Sequence, residues 1–180
     1  MQKQGEYKTY YDNRYHNERN RNIKEICNYV DDKLHGEYIK YCTHGHIEEI
    51  CDYVNGKKHG KHIRRDVNGY LLLKHNYVNG KKNGECIDYS CGSVKSRRNY
   101  TDDELNGECI HYDHDDNITS RHNYKNGERH GESVDYFNKG NIIIRENYAN
   151  GTKHGEYIYY YRDTGQIVCK RNYVDGYEVN

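Results

Sequence analysis

The chain has very few of the residues that globular proteins ordinarily use to build a core. It contains no proline, no tryptophan, one phenylalanine and one methionine. Ile, Val, Leu and Phe supply only 29 of its 180 residues, or 16%, which is low for an aliphatic core. Disordered chains are also poor in these residues, but they combine few aromatics with a high net charge. Here 22 tyrosines and a formal net charge of +0 indicate a folded chain.

Long apolar runs are missing as well. No segment approaches the roughly 20 apolar residues that cross a bilayer, and the opening sequence MQKQGEYKTYY has no apolar stretch like that of a secretory signal. The seven cysteines are odd in number and form no C-x-x-C pair, so neither a disulfide framework nor a zinc ribbon is indicated. We therefore expect a cytoplasmic protein whose reduced thiols are half-buried in strands.

What the chain does have is a tandem repeat of about 24 residues. The segment YVNGKKHG at 53–60 returns as YVNGKKNG at 77–84, YKNGERHG at 124–131 and YANGTKHG at 148–155. The tyrosine that opens it recurs almost throughout the chain, at Tyr29, Tyr53, Tyr77, Tyr100, Tyr124, Tyr148 and Tyr173. We divide the chain into an N-terminal partial repeat with a polar insertion at 1–22, tandem hairpin repeats at 23–176 and a tail at 177–180.

Each repeat predicts two short strands. An aliphatic residue and a tyrosine two positions apart, such as Ile39 and Tyr41, share one face of a strand. Asn-Gly pairs predict the hairpin turns, because both central positions of a type I′ turn need positive φ. The expected fold is all-β, an elongated antiparallel β-meander of tandem ~24-residue β-hairpin repeats. We also expect a tyrosine ring to cover the bare backbone of each repeat glycine, such as Gly107.

These residues resemble the MORN repeat family, in a variant seen here as Tyr-x-Asn-Gly-Lys-Lys-His-Gly-Glu over about residues 5–176. The variant is also similar to bacterial antitoxin-like proteins. Asp31-Asp32 and Asp102-Asp103 depart from it by replacing Asn-Gly. The resemblance implies protein scaffolding and, for some members, contact with phospholipid. Richness in Tyr, Asn, Lys and Ile suggests an AT-rich genome, as in large DNA viruses, and would place the protein in a host cytoplasm.

Three groups of side chains contain residue types that bind metals. One group precedes the repeat glycines, at His35, His59, His130 and His154. Neighbours in this group would be about 10 Å apart, too far to share a zinc ion, so we interpret them as repeated turn residues. The other two groups lie in loops, at Cys42, His44 and His46, and at His111, Asp113, His114, Asp115 and Asp116. Neither has the spacing of a zinc site, and we interpret both as exposed loop tips.

No catalytic motif occurs. The sequence has no G-x-S-x-G, no phosphate-binding glycine-rich loop and no H-E-x-x-H. A catalytic site needs a unique concave cluster, whereas this array repeats one simple surface. We therefore expect no enzymatic activity, no catalytic residues, no cofactor and no metal site, with a metal-dependent activity at the Cys42 loop as a distant alternative.

Basic residues beside the turns are the candidates for partner or lipid contact: Lys57, Lys58, Lys81, Lys82, Arg129 and Lys153. With Lys33 they are expected to line one edge of the array, and an anionic membrane would attract each by about 1 kcal/mol. Alternatively, these charges keep the hairpins soluble and block strand addition. The glutamates that follow the repeat glycines, such as Glu85, are expected to neutralise most of this edge.

The function expected from these observations is a noncatalytic repeat scaffold that binds a protein partner through its extended sheet surface. The first alternative is peripheral association with an anionic phospholipid membrane through the lysine-bearing turns. The second is an antitoxin-like protein inhibitor, which the resemblance alone implies. Nucleic acid is not expected as a partner, because a neutral chain lacks the electrostatic attraction for phosphates.

Overall fold

The computed structural model describes residues 2–12 and 22–179, and it confirms the all-β class and the antiparallel meander. Within these residues the strands are joined by short turns, and one turn is a 3-10 helix, Asn138–Gly140. None of the described residues forms a helix long and apolar enough to cross a membrane. Residues 13–21 of the predicted N-terminal insertion lie outside the described part. The chain forms two compact units, Met1–Asn83 and Gly84–Asn180.

Unit 1 is a meander in which neighbouring strands pair antiparallel. The short strands β3 and β8 extend the hairpins that begin with β2 and β7. The strands are β1 (Gly5–Tyr10), β2 (Ile23–Val30), β3 (Lys33–Leu34), β4 (Gly36–Tyr41), β5 (Ile47–Val54), β6 (Lys57–Arg65), β7 (Leu71–Val78) and β8 (Lys81–Lys82).

Unit 2 continues the same pattern, and each of its strands pairs antiparallel with the next. Its first five strands are β9 (Gly84–Ser90), β10 (Ser93–Thr101), β11 (Glu104–Tyr112), β12 (Ile118–Lys125) and β13 (Glu128–Phe137). The remaining four are β14 (Asn141–Ala149), β15 (Thr152–Tyr160), β16 (Ile167–Val174) and β17 (Tyr177–Val179).

The Asn-Gly pairs form the predicted turns. Asn126 and Gly127 both have positive φ, at 52° and 82°, as a type I′ turn requires. The amide of Gly127 also donates a hydrogen bond of 2.8 Å to the carbonyl of Leu105 in the preceding hairpin. The same bond, of 2.7–2.8 Å, joins further pairs of hairpins: Gly56 to Leu34, Gly80 to Lys58, Gly151 to Arg129 and Gly176 to Lys153. Each of these turns is therefore held against the hairpin before it.

A β-bulge explains the second glycine of the repeat. Arg98 pairs with Cys109 and Tyr100 with Leu105, so Asn99 alone faces three residues of β11. Within the bulge, Gly107 has φ of +104°, and a Cβ on it would lie 3.4 Å from the Cβ of Asn99. The prediction that a tyrosine ring covers the backbone of Gly107 is therefore wrong. Glycine is required here because the bulge holds this residue at positive φ. The Asn99 amide donates to the carbonyl of Glu108 at 3.3 Å.

Each unit has two distinct faces, because residues alternate along a strand and directly paired residues share a face. The tyrosine face carries the tyrosines that precede the turns. The isoleucine face carries Ile26, Ile39, Ile50 and Ile63 in unit 1 and Ile87, Ile110, Val134 and Ile158 in unit 2.

The most deeply buried column lies on the tyrosine face and consists of small and polar side chains. Its buried members include Cys27, Cys51, His62, His75, Cys86, Cys109, His122, Ser133 and Glu146. With Cys42, five of the seven cysteines are buried, so the expectation of half-buried thiols was wrong for most of them. All seven are free. Tyrosines and long cationic side chains cover a column that aliphatic residues would occupy in an ordinary core.

Substitutions at Gly127 separate the effect of positive φ from that of crowding, because a Cβ there meets no atom within 4 Å. We expect Gly127→Asn to cost least, Gly127→Ala about 1 kcal/mol and Gly127→Val most, since β-branched residues tolerate positive φ worst. Urea unfolding of the three variants measures this order. A cost that followed side-chain volume alone, with Asn above Ala, would contradict it.

Candidate functional site

A cluster on the tyrosine face of unit 1 joins a thiol, an imidazole and a carboxylate. Glu49 and Cys51 lie two residues apart on β5, and His62 pairs directly with Cys51 from β6. His62 Nε2 lies 2.7 Å from Glu49 Oε1. Lys58 Nζ lies 3.3 Å from His62 Nδ1 and 3.6 Å from Glu49 Oε1. The register of one hairpin therefore brings together residue types that many nucleophilic enzymes use.

The same geometry prevents Cys51 from acting as a nucleophile. Its side chain is 1% exposed, and burial raises the pKa of the thiol to about 11. The nucleophilic form is the thiolate, which is scarce at neutral pH for such a group. The His62 ring is already engaged by Glu49 and Lys58. This cluster is suited to holding two strands in register rather than to chemistry.

Unit 2 has a similar cluster with the roles of the two strands exchanged. Ser133 and Asp135 lie on β13, and His122 pairs with Ser133 from β12. His122 Nε2 lies 3.0 Å from Asp135 Oδ1, and Arg129 Nη2 lies 3.3 Å from His122 Nδ1. Because the guanidinium can only donate, Nδ1 accepts and Nε2 donates to the aspartate. Ser133 is 1% exposed, so no substrate reaches its hydroxyl.

Beside this cluster, the buried carboxylate of Glu146 binds two cations. Lys153 Nζ lies 2.9 Å from it and Arg129 Nη1 3.3 Å. The Tyr148 hydroxyl donates to it at 2.8 Å. Burial raises the pKa of Tyr148. Lys153 also lies over the ring of Tyr157, 4.7 Å from its centroid. Arg129 and Lys153, both candidate contact residues, are thus held by internal partners.

Four ion pairs recur on the isoleucine face of unit 2 and form what we call the charge ladder. The pairs join the glutamate after each repeat glycine to a cation on the next strand: Glu85–Arg97 at 3.1 Å, Glu108–Arg121 at 3.0 Å, Glu132–Arg145 at 3.3 Å and Glu156–Lys170. The side chains are 38–56% exposed. The cations lie in register with Ile87, Ile110, Val134 and Ile158.

The charge ladder was not predicted from the sequence. Glutamates such as Glu85 were expected to neutralise the lysine edge, whereas four of them bind cations on the neighbouring strand. The available signal was a cation 12–14 residues after each of these glutamates. In unit 1 the positions equivalent to Arg97 hold Ile26, Ile50 and Lys74, so the same glutamate–cation pattern does not extend there.

The basic residues beside the turns are divided between the two faces, because adjacent strand residues point to opposite faces. Lys58, Lys82, Arg129 and Lys153 lie on the tyrosine face in register with tyrosines. Lys33, Lys57 and Lys81 lie on the isoleucine face and are exposed. These last three make no ion pair with any residue in 2–12 or 22–179.

Two of the predicted turn histidines lie near the starts of strands, His59 as the third residue of β6 and His130 as the third of β13. The Nδ1 atom of His59 accepts from the amide of Asn79 at 3.5 Å, and that of His130 from Asn150 at 3.4 Å. In the first predicted loop cluster, Cys42 is buried while His44 and His46 are exposed. In the second predicted loop cluster, His111 lies in β11 and is half-buried rather than at an exposed loop tip. Across the described part of the chain, no three His, Cys, Asp or Glu side chains are grouped to hold a metal ion.

No protein-family model matches the chain, and no curated protein matches it significantly. The class that the structure defines is an all-β array of antiparallel hairpins. The resemblance to MORN repeats remains a prediction.

The Glu49–His62 contact predicts a pH dependence of stability in unit 1. The hydrogen bond with His62 holds the pKa of Glu49 below its ordinary value. A carboxylate with a depressed pKa stabilises the fold above its unfolded pKa of about 4.3, and this stabilisation is lost as the pH falls through the folded value. We expect Glu49→Gln to reduce the loss of unfolding free energy between neutral and acidic pH.

Urea unfolding at several pH values measures this effect. Glu37→Gln is the matched control, because Glu37 is an exposed carboxylate in the same unit. We expect this variant to lose as much unfolding free energy between neutral and acidic pH as the wild type does. An equal loss of unfolding free energy on acidification in Glu49→Gln and in the wild type would contradict the stabilising role of the Glu49 carboxylate.

Proposed function

We propose that the chain is a noncatalytic repeat scaffold that binds a protein partner through the surface of its sheet. The observation that carries this proposal is the charge ladder of unit 2. Equivalent rungs are two strands apart, or about 10 Å. A partner of complementary charge pattern would meet several oriented carboxylates and guanidinium groups at once, and such complementarity confers specificity.

The charge ladder has little to contribute to folding. Half-exposed ion pairs stabilise a protein by about 0–1 kcal/mol each. Arg97 contacts Glu85 through one terminal nitrogen, and Arg121 contacts Glu108 through Nε. A guanidinium has five N–H donors, so each arginine retains donors that can reach a partner's carboxylate or carbonyl. The glutamates attract the arginines at 3.0–3.3 Å, and this restriction of the side chains lowers the entropy that binding would cost.

The clusters on the tyrosine face support a noncatalytic role. Cys51 and Ser133 each pair directly with the histidine of their cluster, and both are 1% exposed. A nucleophile must reach its substrate, and neither side chain does so in this arrangement. Each instead lies between neighbouring strands on the tyrosine face of its own unit.

Association with an anionic membrane is the second candidate. The observation that favours it is that Lys57 and Lys81 of unit 1 are exposed, and neither is paired to a carboxylate of the described residues. Each would gain about 1 kcal/mol near an anionic surface. The antitoxin-like inhibitor is a special case of the protein-binding scaffold, and only the resemblance supports it.

Affinity capture from the native source, with crosslinking, tests the main proposal. We expect Arg121→Gln/Arg145→Gln to lose a partner that the wild type captures, because two rungs of the charge ladder lose their cations. The matched control is Arg171→Gln, which removes an exposed arginine paired to Glu178 at 3.2 Å on the tyrosine face. It should retain the partner. Equal capture by all three proteins would contradict the proposal.

Co-sedimentation of the same proteins with anionic vesicles separates the two candidates. A membrane-binding protein would sediment with vesicles at low salt. Lys57→Glu/Lys81→Glu would abolish this co-sedimentation, and the changes in the charge ladder would leave it unchanged. For the scaffold we expect no sedimentation of the wild type with vesicles.

A further inference from the structure

The first residue after each hairpin turn differs in charge between the two units. In unit 1 this position holds Lys33, Lys57 and Lys81, which we call the lysine row. In unit 2 it holds Glu104 and Glu128, which we call the glutamate row, and then Thr152 and Tyr177. All pair with the residue just before the turn, as Lys57 does with Val54 and Glu128 with Lys125. Both rows therefore lie at the turn end of the isoleucine face in their own unit.

The charges of the two rows are not used inside the molecule. All five side chains are exposed. None makes an ion pair with a residue in the described ranges, whereas the cations of the charge ladder and the half-buried Lys58, Arg129 and Lys153 of the tyrosine face are paired. Charged groups left free at regular positions are available to an external partner.

The backbone fixes where these side chains begin. A Cβ on Gly80 would lie 3.6 Å from the Cβ of Lys57, and one on Gly151 would lie 3.7 Å from the Cβ of Glu128. The side chains of Lys57 and Glu128 thus start against the glycine of the following turn. Lys57 and Lys81 are two strands apart, as are Glu104 and Glu128, which is about 10 Å in both cases.

We propose that the lysine row of one copy of the chain docks on the glutamate row of a second copy. The rows carry opposite charges, and their spacing matches because both follow the same repeat. Aligning Lys57 with Glu104 also aligns Lys81 with Glu128. The intervening residues are then Val78, which is 40% exposed, and Lys125, whose aliphatic stem can lie on the valine.

The association is weak and sensitive to salt, because its ion pairs are exposed. The Debye length falls from about 30 Å at 0.01 M salt to about 3 Å at 1 M. This contact does not use the charge ladder, so it is independent of the proposed protein partner. It is also heterologous, because it joins different surfaces of the two copies.

Sedimentation velocity over a range of protein concentrations, at low and high salt, tests the proposal. We expect the wild type to self-associate at low salt and to become monomeric at high salt. Lys57→Glu/Lys81→Glu and Glu104→Lys/Glu128→Lys should each be monomeric alone, since each leaves like charges opposed. An equimolar mixture of the two variants should associate, and so should the chain that carries all four changes.

Controls keep the outcome interpretable. Lys61→Glu/Lys95→Glu changes the charge by the same amount at exposed positions outside both rows and should associate like the wild type. Circular dichroism checks that each variant is folded. A wild type that remained monomeric at every concentration at low salt would overturn the proposal. So would self-association that survived either pair of charge reversals, or a mixture of the two variants that did not associate.

Discussion

The register of the hairpins is the constraint on which the rest of the structure depends. A type I′ turn leaves no freedom in how the two strands meet, because both of its central residues take positive φ. The hydrogen bond from the turn glycine to the carbonyl of the preceding hairpin, as from Gly127 to Leu105 at 2.8 Å, then fixes one hairpin against the next. A slip of one residue would move every side chain to the other face.

Fixed register explains how so few aliphatic residues suffice. Equivalent positions come into register across neighbouring hairpins, so a small residue such as Cys51 is covered by neighbours of predictable size. Lys58 and Lys153 lie over tyrosine rings, at 5.6 Å from the centroid of Tyr77 and 4.7 Å from that of Tyr157. These stems and rings exclude water, and the ammonium groups pair with Glu49 and Glu146. The low hydrophobicity of the chain thus fits a sheet whose cover is made of amphipathic side chains.

The sequence was sufficient to predict features that depend on neighbouring residues. The turns at Asn126-Gly127 and its equivalents followed from the need for positive φ, and the strands followed from the apolar period of two. The charge ladder could not be predicted from neighbouring residues. Arg121 pairs directly with Ile110 and reaches Glu108 diagonally, and the bulge between His111 and Tyr112 changes the register of the two strands. Side-chain alternation along a strand predicts that Lys57 and Lys58 lie on opposite faces. The prediction of one basic edge did not take this alternation into account. Gly107 was recognised as unusual, but its φ became clear only with the bulge beside Asn99.

Amide hydrogen exchange at the turn glycines is the most direct test of the central claim. Gly56, Gly80, Gly127 and Gly151 are exposed at hairpin tips, where amides ordinarily exchange quickly, yet each donates to a carbonyl of the preceding hairpin. We predict that these four amides are protected, and that the amides of Asn55 and Asn126 exchange faster. Glycine amides that exchanged at the rate of an unstructured peptide would contradict the claim that each hairpin fixes the register of the next.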